Sequence, residues 1–205
     1  KPYFITKKEV VTVKQILLKN AFNMTSKIFM LILLLVFLLK TTQQADANSD
    51  SSFKELTNLQ KLAEQSQQLK LPIMLMFGAE WCEFCELLQE SVFDPMMLGG
   101  LYEEKVVLMR HVGVDEAEPI PSWNGTLINK AKWAYELDAD LTPTVLFFDA
   151  NGHEVAPRII GISEITLYAG LIHQRLNIAY KKMGLTKRIP VTPELLEKES
   201  VKKTQ

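Results

Sequence analysis

From residue 48 onward the apolar positions switch between helical and strand spacings. Phe53, Leu56, Leu59, Leu62 and Ala63 recur every three or four residues, which predicts a helix capped by Ser52 and ending near Leu69, before Pro72. The unbroken run Pro72-Ile73-Met74-Leu75-Met76-Phe77 reads as a buried strand reaching Gly78. A second helix starts at Cys82 or Glu83 and turns Leu87 and Leu88 inward. Asp94-Pro95 is expected to break it, with Asp94 capping a new turn and Pro95 in the first helical position. Val106-Val107-Leu108-Met109 opens a strand that reaches Val114. Residues 127 to 137 form a helix with Leu127, Ile128, Ala131, Ala134 and Tyr135 facing the core. A strand over 144–149 turns through Ala150-Asn151-Gly152 into another over 153–161, a hairpin signal. A last helix over 163–180 follows a Ser163 cap. A β-α-β half followed by a β-β-α half makes this an α/β protein with helices packed on a central sheet.

The amino end follows a different pattern. Lys27 precedes twelve apolar residues, Ile28 to Leu39, and Ala45-Asp46-Ala47 follows a short polar spacer. A basic start, a short apolar stretch and a small-x-small site are the parts of a secretory signal peptide. A bilayer-spanning helix needs about 20 apolar residues, so twelve between two lysines is short for an anchor. Residues 24–47 are therefore expected to be a cleaved signal peptide, with an uncleaved membrane anchor as the alternative. Residues 1–23 are expected to be an upstream extension that is not native to the protein, translation beginning at Met24. Cleavage after Ala47 leaves one domain over 48–180 and a flexible tail over 181–205. That tail mixes lysines with prolines and has one short helix signal at Thr192-Pro193-Glu194.

Composition narrows the functional classes. The formal net charge of −1 gives no electrostatic reason to invoke nucleic acid. Two cysteines in an exported chain normally serve as a structural tie, yet Cys82 and Cys85 close so short a loop that they constrain little of the unfolded chain. Stability must come from a core instead, which leaves this pair free for chemistry. Half a zinc site has the same spacing, but no other cysteine exists, and His111, His153 and His173 lack ligand spacing. The sequence therefore calls for neither a metal nor a cofactor. At the start of a helix, the first thiolate is stabilised by the backbone dipoles and can attack a partner disulfide; the second thiol then resolves the mixed disulfide.

A second signal lies at Leu141-Thr142-Pro143-Thr144, before the apolar Val145-Leu146-Phe147-Phe148. A proline at a strand's first residue costs no ladder bond, and a cis Thr142-Pro143 peptide would be a specific feature there. Together with Trp81-Cys82-Glu83-Phe84-Cys85, this makes residues 52 to 179 resemble the thioredoxin superfamily. Gly78-Ala79-Glu80-Trp81-Cys82, Ser91-Val92-Phe93-Asp94-Pro95, Val114-Asp115 and Asn151-Gly152 are most similar to exported single-domain thioredoxins and to the C-terminal periplasmic domain of the membrane disulfide reductase DsbD. The resemblance implies a three-layer α/β/α fold with a central mixed sheet, here with an extra helix at its N-terminal side. It implies Cys82 as nucleophile, Cys85 as resolving thiol, Pro143 against the disulfide and Trp81 shielding one side of the sulfurs. Thr142, with Glu83 and Phe84, would meet an extended substrate segment.

The chain departs from the family pattern at one position. Where thioredoxin buries an aspartate that accepts the resolving cysteine's proton, this chain has Met76, whose thioether cannot do so. His111 stands where thioredoxin has a lysine paired with that aspartate and is the candidate substitute, with a plain strand histidine as the alternative. Glu80, Glu83, Glu86 and Glu90 lie near the motif as further acceptors. Strong oxidants of the family have a stabilising group just before the second cysteine. Here Glu83 repels the thiolate and Phe84 adds no charge, so the pair leans towards a reductant.

The expected function is an exported, periplasmic thiol-disulfide oxidoreductase, a monomer that reduces protein disulfide substrates and is recharged by a membrane electron donor of the DsbD type. The alternative is a non-catalytic binding or folding-assistance module on the same fold. A third reading is the endoplasmic reticulum lumen, since Asn124-Gly125-Thr126 is a glycosylation sequon, but Lys203-Thr204-Gln205 is no retention signal. The loop 116–126 reads either as a partner-contacting loop or as an insertion with Trp123 packed on its own domain.

Overall fold

A computed structural model describes residues 52–204; the expected signal peptide at 24–47 and the extension at 1–23 lie outside them. In chain order the long elements are α1 (Leu59–Leu69), β1 (Ile73–Gly78), α2 (Glu83–Leu88), a π-helical turn (Gln89–Phe93) and α3 (Asp94–Leu98). They continue with β2 (Leu108–Gly113), the short β3 (Ile120–Pro121) and β4 (Leu127–Ile128), then α4 (Lys130–Glu136), β5 (Thr144–Phe148), β6 (Glu154–Ile160), α5 (Ile165–Lys182) and α6 (Pro193–Thr204). The main sheet runs β2-β1-β5-β6, with β1 parallel to β2 and both other pairings antiparallel. This is the mixed thioredoxin-like sheet expected from the β-α-β and β-β-α halves.

The two-residue side-chain period of β1 sorts the core into two halves. Ile73, Leu75 and Phe77 pack with Leu59, Leu62, Trp133 and Ala134, so α1 and α4 cover one face. Met74 and Met76 pack with Leu88, Val92, Phe93, Ile172 and Leu176, so α2 and α5 cover the other. Every β1 residue is buried, as a strand covered on both faces must be. Phe77 against Trp133, ring centroids 5.2 Å apart, shows the scale of the contacts: burying one such side chain is worth roughly 1.5–3 kcal/mol.

Several elements depart from the periodicity reading. The first helix begins at Leu59 with Asn58 as cap, the Asn58 side chain accepting from Lys61 N at 2.9 Å. Phe53 and Leu56 are buried, but from extended chain. The Leu56 amide donates to the His111 carbonyl (2.7 Å) and the His111 amide to Lys54 O (2.9 Å), a parallel bridge along the open side of β2. Ser52 caps nothing; its hydroxyl donates to the Asp94 carboxylate at 2.7 Å. A long-range strand pairing has overridden a helical spacing that the same apolar residues also satisfy.

Asp94-Pro95 does not end the helix that starts at Glu83. Pro95 removes a donor and crowds the preceding turn, and the wider π-helical turn over Gln89–Phe93 absorbs this while the helix runs on to Leu98. Leu87 points outward, whereas Leu88 is buried. Helix α4 starts only at Lys130, capped by Asn129, and its inner face carries Lys130, Trp133 and Ala134; Leu127, Ala131 and Tyr135 are exposed. A buried lysine rotates that helix away from the face its apolar residues suggest. Helix α5 is capped by Glu164, which accepts from Thr166 N, rather than by Ser163.

The loop after β2 forms the β3–β4 hairpin. Its Trp123 lies against Phe148 at 5.6 Å, the self-packed arrangement. Beyond Lys182, in the stretch expected to be a mobile tail, Ile189 is buried and α6 follows. The His173 ring donates through Nδ1 to Pro190 O at 2.6 Å.

Candidate active site

The site grows from the C-terminal end of β1. After Gly78 the chain leaves the sheet, Glu80 N donates to the Asp115 carboxylate at 2.9 Å, and the loop turns into α2 with Cys82 as its cap. Cys82 and Cys85 form a disulfide with Cα atoms 5.2 Å apart. The Cys82 sulfur accepts from the Cys85 amide at 3.2 Å, so one N–H of the first helical turn points at the first sulfur. In this form both cysteines are nearly covered, 7% and 4% exposed. Their inequality therefore lies in position on the helix more than in access.

Trp81 and Phe84 stand in solvent, 72% and 64% exposed, with Glu83 beside them. Leu141, 65% exposed, lies two residues before Pro143. Phe77 pairs with Thr144, so the β1–β5 register brings the buried Pro143 to the end of the sheet where Cys82 lies. The Thr142-Pro143 peptide is cis, and Pro143 O accepts from Gly161 N at 2.8 Å. Trp81, Glu83 and Phe84, which flank Cys82 in sequence, are exposed, and Thr142, which precedes the cis proline, is half-exposed. Glu83 and Glu86 occupy the first turn of α2, where negative charge opposes a second negative charge on Cys82.

Behind the disulfide, Met76 is fully buried and pairs with His111 across β1 and β2, so both side chains project from the same face. A methyl group built on Gly78 would meet His111 Nε2 at 2.7 Å, Cys85 Sγ at 3.3 Å and Met76 Cε at 3.3 Å. The imidazole and the second sulfur therefore flank one small space that only glycine leaves open. His111 Nδ1 is 2.5 Å from the Glu55 carboxylate.

Glu55 is the hub of a charged cluster. Its other oxygen accepts from Gly113 N at 3.0 Å and from Lys130 Nζ at 2.7 Å, and Lys130 also binds Glu116. Burial alone would raise the Glu55 pKa, but the His111, Gly113 and Lys130 contacts outweigh it and hold the carboxyl below its ordinary value. Lys130 is only 2% exposed. Burial opposes its charge, yet Glu116 and Glu55 together push its pKa up. Glu55, Gly78, Lys130 and Glu116 carried no signal in the sequence as site residues. Gly78 opens the Gly78-Ala79-Glu80-Trp81-Cys82 motif without a side chain of its own, and Glu55 meets His111 across 56 positions.

Residues 59–175, more than half of the chain, match the family described as thioredoxin-like domain. The thiol:disulfide interchange protein DsbD of Citrobacter koseri is 28% identical over 137 residues, covering 66% of this chain and 22% of that one. The DsbD of Yersinia enterocolitica is 30% identical over 122 residues, covering 58% and 19%. The chain thus spans less than a quarter of either relative. Among solved structures, oxidised thioredoxin O2 of Arabidopsis thaliana aligns at 21% identity with a TM-score of 0.40, over 60% of this chain and 94% of that one.

Proposed function

Because this chain belongs to the thioredoxin-like family of thiol-disulfide oxidoreductases, we propose that it acts in the periplasm as a reductant of protein disulfides through Cys82 and Cys85. The observation that carries the reading is a disulfide at a helix start, set in an apolar collar and next to an acidic first turn.

In the reduced protein the Cys82 thiolate attacks one sulfur of a client disulfide. The client S–S bond breaks, and its other sulfur leaves with the electron pair and takes up a proton. His111 Nε2 then removes the proton from Cys85. The Cys85 thiolate attacks Cys82, and the second client sulfur departs as a thiol once protonated. The client gains two electrons and the dithiol becomes the disulfide. Trp81, Phe84 and Leu141 supply apolar contact area to a protein client, and Thr142 meets its backbone as an added strand, with Pro143 against the sulfurs. Glu83 and Glu86 disfavour the thiolate; each ~1.4 kcal/mol lost from the reduced form lowers the potential by about 30 mV. A membrane electron donor of the DsbD type would restore the dithiol, as the DsbD relatives suggest.

The test is insulin reduction by dithiothreitol with residues 48–205. Catalysed turnover that is lost in Cys82→Ser supports the enzyme, and Cys85→Ser should accumulate mixed disulfides with clients. Client binding without turnover would instead make this a holding module on the same fold.

A further inference from the structure

The imidazole of His111 is useful as a base only if Nε2, the nitrogen that borders the space beside Gly78 that Cys85 Sγ also borders, carries a lone pair. A neutral imidazole has one N–H, and its position is set by the partner of the other nitrogen. At Nδ1 that partner is the Glu55 carboxylate. An ionised carboxylate only accepts, so it keeps the proton on Nδ1 and frees Nε2. Its negative charge then stabilises the imidazolium that forms when Cys85 is deprotonated.

Resting on the reading that His111 takes the Cys85 proton, we propose that Glu55 is the positioning residue of the resolving step, orienting His111 and fixing its tautomer from the chain segment that precedes α1. The proton passes from Cys85 Sγ to His111 Nε2. The Cys82–Cys85 bond forms as the bond from Cys82 to the client sulfur breaks, and the client sulfur leaves with that electron pair.

The surroundings fit this role. Glu55 is held in place by three donors, Gly113 N, Lys130 Nζ and the His111 ring, two of them on β2 and one on α4. Lys130 keeps the carboxyl ionised, and Glu116 shares that lysine, so the cluster does not leave Glu55 with an uncompensated positive neighbour. From the other elements packed around the imidazole come Met76 and Gly78 of β1, Cys85 of α2 and Phe53, whose ring lies 6.2 Å away edge-on. The charged groups bearing on His111 are thus Glu55 directly, and Lys130 and Glu116 through it. The cluster differs from a single buried acid: the base sits on β2, and the acid behind it never approaches the sulfur.

The experiment uses the mature protein with Glu55→Gln, His111→Gln and the double variant. Stopped-flow decay of a Cys82 mixed disulfide is followed from pH 5.5 to 9. Glu55→Gln is expected to slow the decay on the order of tenfold near neutral pH, a fraction of what a positioned base contributes, with the difference fading at alkaline pH. In the His111→Gln background the same change is expected to slow it no further. If His111→Gln is slow and Glu55→Gln matches wild type, the positioning role of Glu55 is overturned while the base survives. If His111→Gln itself is unchanged, the base reading falls, and this proposal with it. Nitrogen NMR of the wild-type imidazole is a check independent of variant folding: a neutral ring protonated on Nδ1 supports the proposal, and one protonated on Nε2 overturns it.

Discussion

At the scale of single residues, the space beside Cys85 decides what substitutions do. Gly78→Ala would put a methyl 2.7 Å from His111 Nε2, closer than real contacts allow, so the imidazole must move away from the sulfur. We expect stability to fall by about 1–3 kcal/mol, the usual cost of overpacking. We also expect slower decay of the mixed disulfide, read by stopped flow; a wild-type rate would show that His111's place is irrelevant to resolution. Met76→Asp is the complementary change. Met76 is buried and shares its face of the sheet with His111. The new acid should therefore speed Cys85 deprotonation with a loss of about 1–3 kcal/mol, the cost of a partly compensated buried polar group. Urea titration and the same kinetics check both halves.

At the scale of elements, a charged cluster docks α4 and the strand-like segment before α1 onto β2. Lys130→Met keeps the volume of the side chain but leaves Glu55 and Glu116 facing each other without their cation. Breaking such a pair costs about 3 kcal/mol here, the low end for buried pairs because both carboxylates retain some solvent. The loss has a pH signature. Glu55 titrates below its ordinary 4.5 in the folded protein, so its contribution is present above that value and disappears as pH falls through the depressed folded one. In the variant that depression weakens, so the stability gap to wild type should narrow in acid. Urea midpoints at pH 7 and pH 4 measure it; a constant gap would mean that packing rather than charge holds α4.

At the scale of the whole molecule, the C-terminal stretch is tied to the domain through His173. This ring is fully buried, donates from Nδ1 to Pro190 O and takes the Tyr102 hydroxyl at Nε2, 2.8 Å away. The neutral ring satisfies both nitrogens, Nδ1–H on Pro190 O and Nε2 on the Tyr102 hydroxyl. Burial lowers its pKa below 6.5, more than Pro190 O and the Glu194 charge raise it. The unfolded chain therefore binds the proton first, and stability is lost as pH drops from about 6.5 towards the depressed folded value. Melting temperature should fall across that window in wild type and much less in His173→Gln. Limited proteolysis should show residues after Lys187 becoming accessible over the same range; a flat profile in wild type would remove His173 as the cause.

The local pattern of the chain determined much of this protein. The apolar runs at 72–78 and 144–148 make strands because they are too short and too continuous for amphipathic helices, and the order of elements leaves one plausible sheet. The Cys82–Cys85 disulfide and the cis Thr142-Pro143 peptide could be anticipated because each depends on neighbours in sequence: two cysteines within one helical turn, a proline at a strand start. Glu55, Gly78 and Lys130 could not be, because their roles depend on residues tens of positions away. Glu55 looked like one polar position of a helix until pairing with β2 drew its segment out straight. Lys130 looked like a solvent-facing residue until two carboxylates arrived to compensate its burial. Only the tertiary structure brings β2, α4 and the chain before α1 to one point behind the disulfide, since desolvation and ion pairing act through space and leave no period in the sequence.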